Sequence, residues 1–139
     1  MRIQTNCGGI DWTEVTRLMT EAGMGVYGDE KHKTAFLNSA RVVFLFDLRD
    51  HLVGCGRLIS DGAYQAAMYD VCISPDCQGK NLGTLVVRTL LTDLDDVNVI
   101  LYATPGKEAF YEKFGFRMGR TCMVRFMERE KMRERGFTE

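Results

Sequence analysis

The chain has 139 residues, 45% hydrophobic and 27% charged, with a formal net charge of −1. That composition suits one globular domain with its own core, and it lacks the basic stripe that nucleic-acid binding needs. No apolar stretch approaches the ~20 residues of a membrane span, and the N-terminus has no apolar h-region, so no secretory signal is expected.

Residues 1–5 are predicted as a short first strand. Trp12, Val15, Leu18, Met19 and Ala22 recur at helical spacing behind Asp11, a residue type suited to an N-cap. Gly23, Gly25 and Gly28 break that pattern. The loop they delimit carries Met24, Val26 and Tyr27, large apolar side chains that either border a ligand or simply connect helices. A second helix is predicted over 29–39, with Ala35, Phe36 and Leu37 near its end. Residues 42–46 are an uninterrupted apolar run of strand length, Arg49-Asp50-His51 a polar turn, and 52–60 a returning strand. Asp61-Gly62 signals another turn before a third strand at 66–74, so 42–74 reads as an antiparallel meander that Pro75 ends.

Leu82, Leu85, Val86, Thr89, Leu90 and Leu94 then mark an amphipathic helix. A strand is predicted over 98–103, a short helix over 106–114, and a last strand or strand pair over 116–126. Charged residues dominate from Glu128 onward, predicting a solvated or frayed tail. This order predicts an α+β fold with a mixed, mostly antiparallel central sheet flanked by helices. It occupies a single domain over 1–127, followed by a charged tail over 128–139.

Cys7, Cys55, Cys72, Cys77 and Cys122 are an odd, scattered set with no CxxC spacing. Small buried hydrophobes in a reducing cytoplasm are expected, rather than a zinc site or a disulfide framework. A catalytic cysteine would need His32 or His51 as its base, and nothing in the sequence brings either close.

Two segments carry the chemistry. Gln78-Gly79-Lys80-Asn81-Leu82-Gly83 follows a strand-like run and opens a helix, so its backbone N–H groups face outward at the positive end of a helix dipole. That is a seat for phosphate anions. There is no Gly-Lys-Ser/Thr, and the Rossmann spacing fails, which disfavours both nucleotide loops. The second segment, Ala109-Phe110-Tyr111-Glu112-Lys113-Phe114-Gly115-Phe116, puts a tyrosine on a short helix ahead of a strand.

The stretch from Tyr69 through Ile73, Pro75 and the turn Gln78–Gly83 resembles the acetyl-CoA motif of the GNAT N-acetyltransferase superfamily, a strand, a proline, then Gln/Arg-x-x-Gly-x-Gly/Ala. The segment around Tyr111 resembles that family's Phe-Tyr-x-Lys-x-Gly-Phe signature, and the likeness spans roughly 42–126. Asn81 stands where the family turn has its middle glycine. If that position needs positive φ, asparagine is among the least penalised replacements. Arg57-Leu58-Ile59-Ser60-Asp61-Gly62 followed by Tyr69-Asp70-Val71 is similar, more loosely, to the branch holding plant and bacterial serotonin-type (arylalkylamine) acetyltransferases. Glucosamine-phosphate acetyltransferases are similar around Asp70.

The resemblance implies acetyl-CoA as acyl-donor co-substrate and a primary amine, small or on a lysine side chain, as acceptor. With near-zero net charge and no long apolar stretch, no nucleic-acid or membrane partner is expected, and a homodimer stays open. Backbone groups of Val71, Cys72 and Ile73 would meet the pantetheine arm and the thioester carbonyl. The N–H groups of Gln78, Gly79, Lys80, Asn81, Leu82, Gly83 and Thr84 would hold the pyrophosphate, while Lys80 is otherwise an exposed turn lysine. Phe110 and Phe114 would flank the CoA arm or serve as core residues. Tyr111 is the candidate acid for the leaving thiolate, a phenol being able to give up its proton there; the other reading is a packed tyrosine. Asp70 either draws the amine proton, directly or through water, or has a structural place, paired with an arginine such as Arg57 or simply pointing to solvent. Tyr27, Tyr64 and Tyr69 are candidate acceptor contacts. A module that binds acetyl-CoA without turnover is the competing function, with Asn81 as its hint.

Overall fold

A computed structural model describes residues 1–139, which divide into two compact units, 1–100 and 101–139. The first unit holds the sheet. Its elements are β1 (Arg2–Gln4), α1 (Trp12–Glu21), α2 (Asp29–Leu37), β2 (Arg41–Phe46), β3 (Leu52–Ser60), β4 (Gln65–Ile73), a 3-10 turn (Pro75–Cys77), α3 (Leu82–Leu90) and β5 (Asn98–Ile100). The strands lie in the order β1-β2-β3-β4-β5, antiparallel except for the parallel pair β4–β5. The mixed sheet, the meander and the helices around it are those expected from the sequence.

Sequence dictates each of these elements in a local way. Asp11 caps α1, its Oδ1 accepting the Thr13 N–H at 3.0 Å. At the other end Gly23 takes φ 75°, and the Met24 N–H reaches back to the Met19 carbonyl at 2.9 Å. This left-handed termination stops the helix cleanly. In β2, Val42 and Phe44 join the core cluster of Val15, Leu18, Met19 and Phe36 beneath α1 and α2. Val43 and Leu45, of opposite parity, are buried as well. Both faces are covered, which is why this strand reads as a continuous apolar run rather than an alternation.

α3 lies on the second face. A Cβ built on Gly56 would stand 2.6 Å from Val86 Cγ1 and 3.1 Å from Leu90 Cδ1, so helix and strand approach closely only because β3 has no side chain there. No helix is long and apolar enough to cross a membrane.

The second unit contains α4 (Glu108–Glu112) and α5 (Arg129–Glu134). The charged tail takes the form of α5, ended by Gly136 at φ 84° with the Phe137 N–H on the Met132 carbonyl. Phe137 meets Tyr102 and Phe126 edge-on, at 6.0 and 6.1 Å between ring centroids. The strand expected over 116–126 is absent. Every residue from Arg117 to Arg125 is exposed, Met118 and Met123 included, so neither face of the expected strand is buried and no ladder forms.

Candidate active site

The register of β3 and β4 changes midway. Arg57 pairs with Tyr69, yet Cys55 pairs with Cys72, so Asp70 and Val71 together oppose Gly56. This is a β-bulge, and Asp70 within it takes φ 57°. The bulge turns the Asp70 carboxylate toward Arg57, whose Nε donates to Oδ2 at 2.6 Å, both side chains being about four-fifths buried (17% and 21% exposed). The guanidinium is flanked by aromatic rings, 5.2 Å from the Tyr69 centroid and 5.9 Å from Phe36. Asp70 thus has the arginine partner that the sequence left as one of its open readings.

β4 meets β5 only through residues 65–67. From Met68 to Ile73 it has no strand on that side. Val71 is half-buried at this edge, and Cys72 and Ile73 are buried. Cys55 and Cys72 face each other across the ladder with 3.6 Å between sulfurs. The Cys72 contact, with burial second, raises the Cys55 thiol well above its ordinary pKa. These are packed thiols rather than nucleophiles.

The strand edge leads into the turn. Gln78 spends its side-chain amide on the Ile73 carbonyl at 3.2 Å, tying the turn to the end of β4. Gly79 takes φ 81°, and Asn81 takes φ 61°, ψ 20° as the residue before α3. The position does need a left-handed residue, and asparagine supplies it. No side chain caps α3 and its first turn carries no acidic residue, whereas α1 and α2 begin with Glu14 and with Asp29 and Glu30. Lys80 is exposed beside the turn, and Leu82, Gly83 and Thr84 are half-buried in the first turn of the helix.

Tyr69 lies within the bulge region against Arg57, and Tyr27 ends the α1–α2 loop with 56% of its surface exposed. Tyr64 is not brought to the bulge. It sits in the β3–β4 turn, about 20 Å from Val71 along an extended strand. Tyr111, Phe110 and Phe114 belong to the second unit, on or just after α4. Tyr111 is half-buried and edge-on to Phe110 (4.9 Å) and Phe116 (5.9 Å). Lys113 Nζ stands 4.6 Å from the Phe110 centroid. Sequence reasoning did not single out the part-buried link among Thr16, Asp29 and His32; its only trace is Asp29 and His32 three apart on one helix.

Comparison with known proteins agrees with this geometry. The acetyltransferase (GNAT) domain model matches residues 39–118. An N-acetyltransferase ycf52 from Pyropia yezoensis is 34% identical over 113 residues, covering 77% of this chain and 65% of that protein. The chloroplastic serotonin N-acetyltransferase 2 of Oryza sativa is 30% identical over 123 residues, covering 84% and 61%. The chain therefore spans slightly under two thirds of the length of these relatives. In structure it is similar to a GNAT-family acetyltransferase of Streptococcus pneumoniae, with TM-score 0.74 at 22% identity over 91% of this chain and 98% of that one. With a family model matching more than half its length, this chain belongs to the GNAT acetyltransferase family.

Proposed function

We propose that the chain transfers the acetyl group of acetyl-CoA to a primary amine, on a small molecule or a lysine side chain, by direct attack in a ternary complex. One observation carries the reading: an unpaired strand edge after the Asp70 bulge runs straight into a left-handed turn at an uncapped helix start. An edge of that kind can accept an extended pantetheine arm as an added strand. The N–H groups that open α3 have no intrahelical acceptors and suit a pyrophosphate. Acetyl-CoA supplies the acyl group already activated as a thioester.

The backbone N–H of Val71, lifted out of the regular ladder by the bulge, is assigned to the carbonyl oxygen as charge develops there. An alkylamine with a pKa of ~10.4 must lose a proton before it attacks. Asp70 is the nearest candidate to take that proton through water. Its Oδ2 is held by Arg57, which leaves Oδ1 for the relay. As the C–N bond forms and the C–S bond breaks, the departing sulfur needs a proton. Tyr111 is assigned that role on its match to the family signature.

For the acceptor, the rice relative named a serotonin N-acetyltransferase supports an arylalkylamine, and Tyr27 and Tyr69 supply aromatic surface in the first unit. Five free thiols support a reducing compartment, and the cytoplasm is the proposed location.

The test is mass spectrometry of products after incubation with acetyl-CoA and a mixed panel of arylalkylamines, polyamines, amino sugars and a lysine peptide. One acetylated product, with turnover cut roughly 10²-fold or more in Tyr111→Phe, supports the enzyme and identifies its acceptor class. CoA binding without any product would leave the sensor instead. Asn81 no longer favours that alternative, since it adopts the conformation a glycine would supply.

A further inference from the structure

His32 is 4% exposed and engages both ring nitrogens. The Tyr27 backbone N–H donates to Nε2 at 3.1 Å. An N–H can only donate, so Nε2 holds a lone pair and Nδ1 carries the proton. Nδ1 then donates to Thr16 Oγ1 at 2.9 Å, and the Thr16 hydroxyl donates onward to Asp29 Oδ1 at 2.5 Å. Asp29 Oδ2 accepts a second hydroxyl, from Thr13, at 2.9 Å. A chain of bonds therefore runs from the rim of α1, through a buried imidazole, to the Val26–Tyr27 peptide of the 23–28 loop. That loop otherwise has few anchors, with Gly23 at φ 75° and Gly28 at φ 96° at its ends. The Tyr27 ring also meets the imidazole edge-on, 6.4 Å between centroids.

We propose that His32 is a positioning residue for the acceptor: in its neutral form it latches the 23–28 loop so that Tyr27 stands ready to meet the amine. This rests on the acetyl-transfer reading above. His32 itself touches neither substrate; it acts through Tyr27. The charged groups that face it are Asp29 on its own helix, Asp70 on β4 and Arg57 on β3. Burial, the largest influence, lowers its pKa; Asp70 and Asp29 pull the other way and Arg57 adds to the lowering. The imidazole is thus neutral at pH 7, as the latch requires, and acid that protonates Nε2 removes the acceptor for the Tyr27 N–H.

Two variants separate the bonds. His32→Gln places a carbonyl oxygen near the Nε2 position, whereas His32→Asn keeps a donor toward Thr16 and loses the acceptor for Tyr27. His32→Asn is expected to raise KM for the amine roughly 3- to 10-fold, the loss of one hydrogen bond. Its kcat and its KM for acetyl-CoA should stay within about twofold of wild type. Hydrogen exchange in a peptide covering 23–28 should speed up in His32→Asn and return toward wild type in His32→Gln, as should KM. Wild-type KM, expressed per neutral amine so that the amine's own protonation is removed, should also rise toward acid pH, and that extra rise should vanish in His32→Gln. Faster exchange with unchanged amine KM would overturn the positioning role while leaving acetyl transfer intact. A uniform fall in all kinetic constants alongside thermal stability would also overturn it, in favour of a structural histidine. If wild type acetylates no amine, the transfer reading fails and the positioning role goes with it, whatever the exchange data say of the latch.

Discussion

Along β4, Ala66 and Ala67 are paired on both sides, to β3 and to β5, whereas Asp70 and Val71 bulge against Gly56, Cys72 and Ile73 pair with β3 alone, and none of these four has a strand on the β5 side. The first stretch spends its backbone groups on the sheet. The second keeps a ladder on its β3 side only and is shaped by side chains as well: Arg57 on Asp70, the Cys55 thiol on the Asp70 carbonyl at 3.5 Å, and Gln78 on the Ile73 carbonyl. One stretch is therefore held by its ladder, and the other is held open by its neighbours. Interactions that look like ordinary stabilisation near residues 70–73 serve to keep backbone available.

The contrast can be broken most severely at Gly56, the single residue opposite the bulge. Gly56→Val should destabilise the protein by about 3 kcal/mol, because its Cβ would collide with Val86, and urea unfolding would show a lower midpoint. An unchanged midpoint would mean that α3 can retreat from the sheet. Arg57→Ala should cost about 1–3 kcal/mol by leaving a largely buried Asp70 unpaired. The contrast predicts where that loss appears: amide exchange should quicken over 69–73 and hold steady over 65–67. Equal loosening of both stretches would dissolve the distinction.

Next in size is Asn81. A β-branched residue in its left-handed conformation costs about 1–2 kcal/mol, so Asn81→Val should weaken acetyl-CoA binding roughly 5- to 30-fold by calorimetry. Asn81→Gly should bind as tightly as wild type or better. Wild-type affinity in Asn81→Val would move the phosphate seat away from this turn.

The smallest effect belongs to the paired stretch. Asp61 closes the turn ahead of β4, its Oδ1 accepting from the N–H groups of Ala63, Tyr64 and Gln65. Those bonds, the one from Ala63 foremost, hold its carboxyl below the ordinary value of 3.8. Because the folded pKa is depressed, this stabilisation is present above the unfolded pKa and is lost as pH falls through the folded one. Asp61→Asn keeps an acceptor but removes the titration, so melting temperature should decline less between about pH 5 and 2.5 than in wild type.

Much of the scaffold was legible because burial leaves a periodic signature. The helix around Val15, Leu18 and Met19, its Asp11 cap and the three-strand meander follow from apolar spacing and turn residues alone. The left-handed Asn81 was legible only conditionally, through the motif that normally carries glycine there. The bulge was not legible. Tyr69, Asp70 and Cys72 lie toward one face, and no pattern of period two marks the extra residue. The last strand was misread because Phe116 and Met118, and later Val124 and Phe126, alternate like a strand but lack a partner ladder. His32 was noticed only as a base that a catalytic cysteine would need; its link to the loop escaped because its partners come from α1 and from a loop peptide, contacts that only the fold creates.

The arithmetic of the bulge has a consequence for deletions. Tyr69 and Cys72 are three residues apart yet pair with Arg57 and Cys55, which are two apart. A chain shortened by one codon at position 70 would bring the two strands into step, with every other residue keeping its face. Such a deletion is expected to yield a folded sheet with no out-turned peptide. Insertion of a single residue would then be enough to turn a plain hairpin into one with an out-turned peptide.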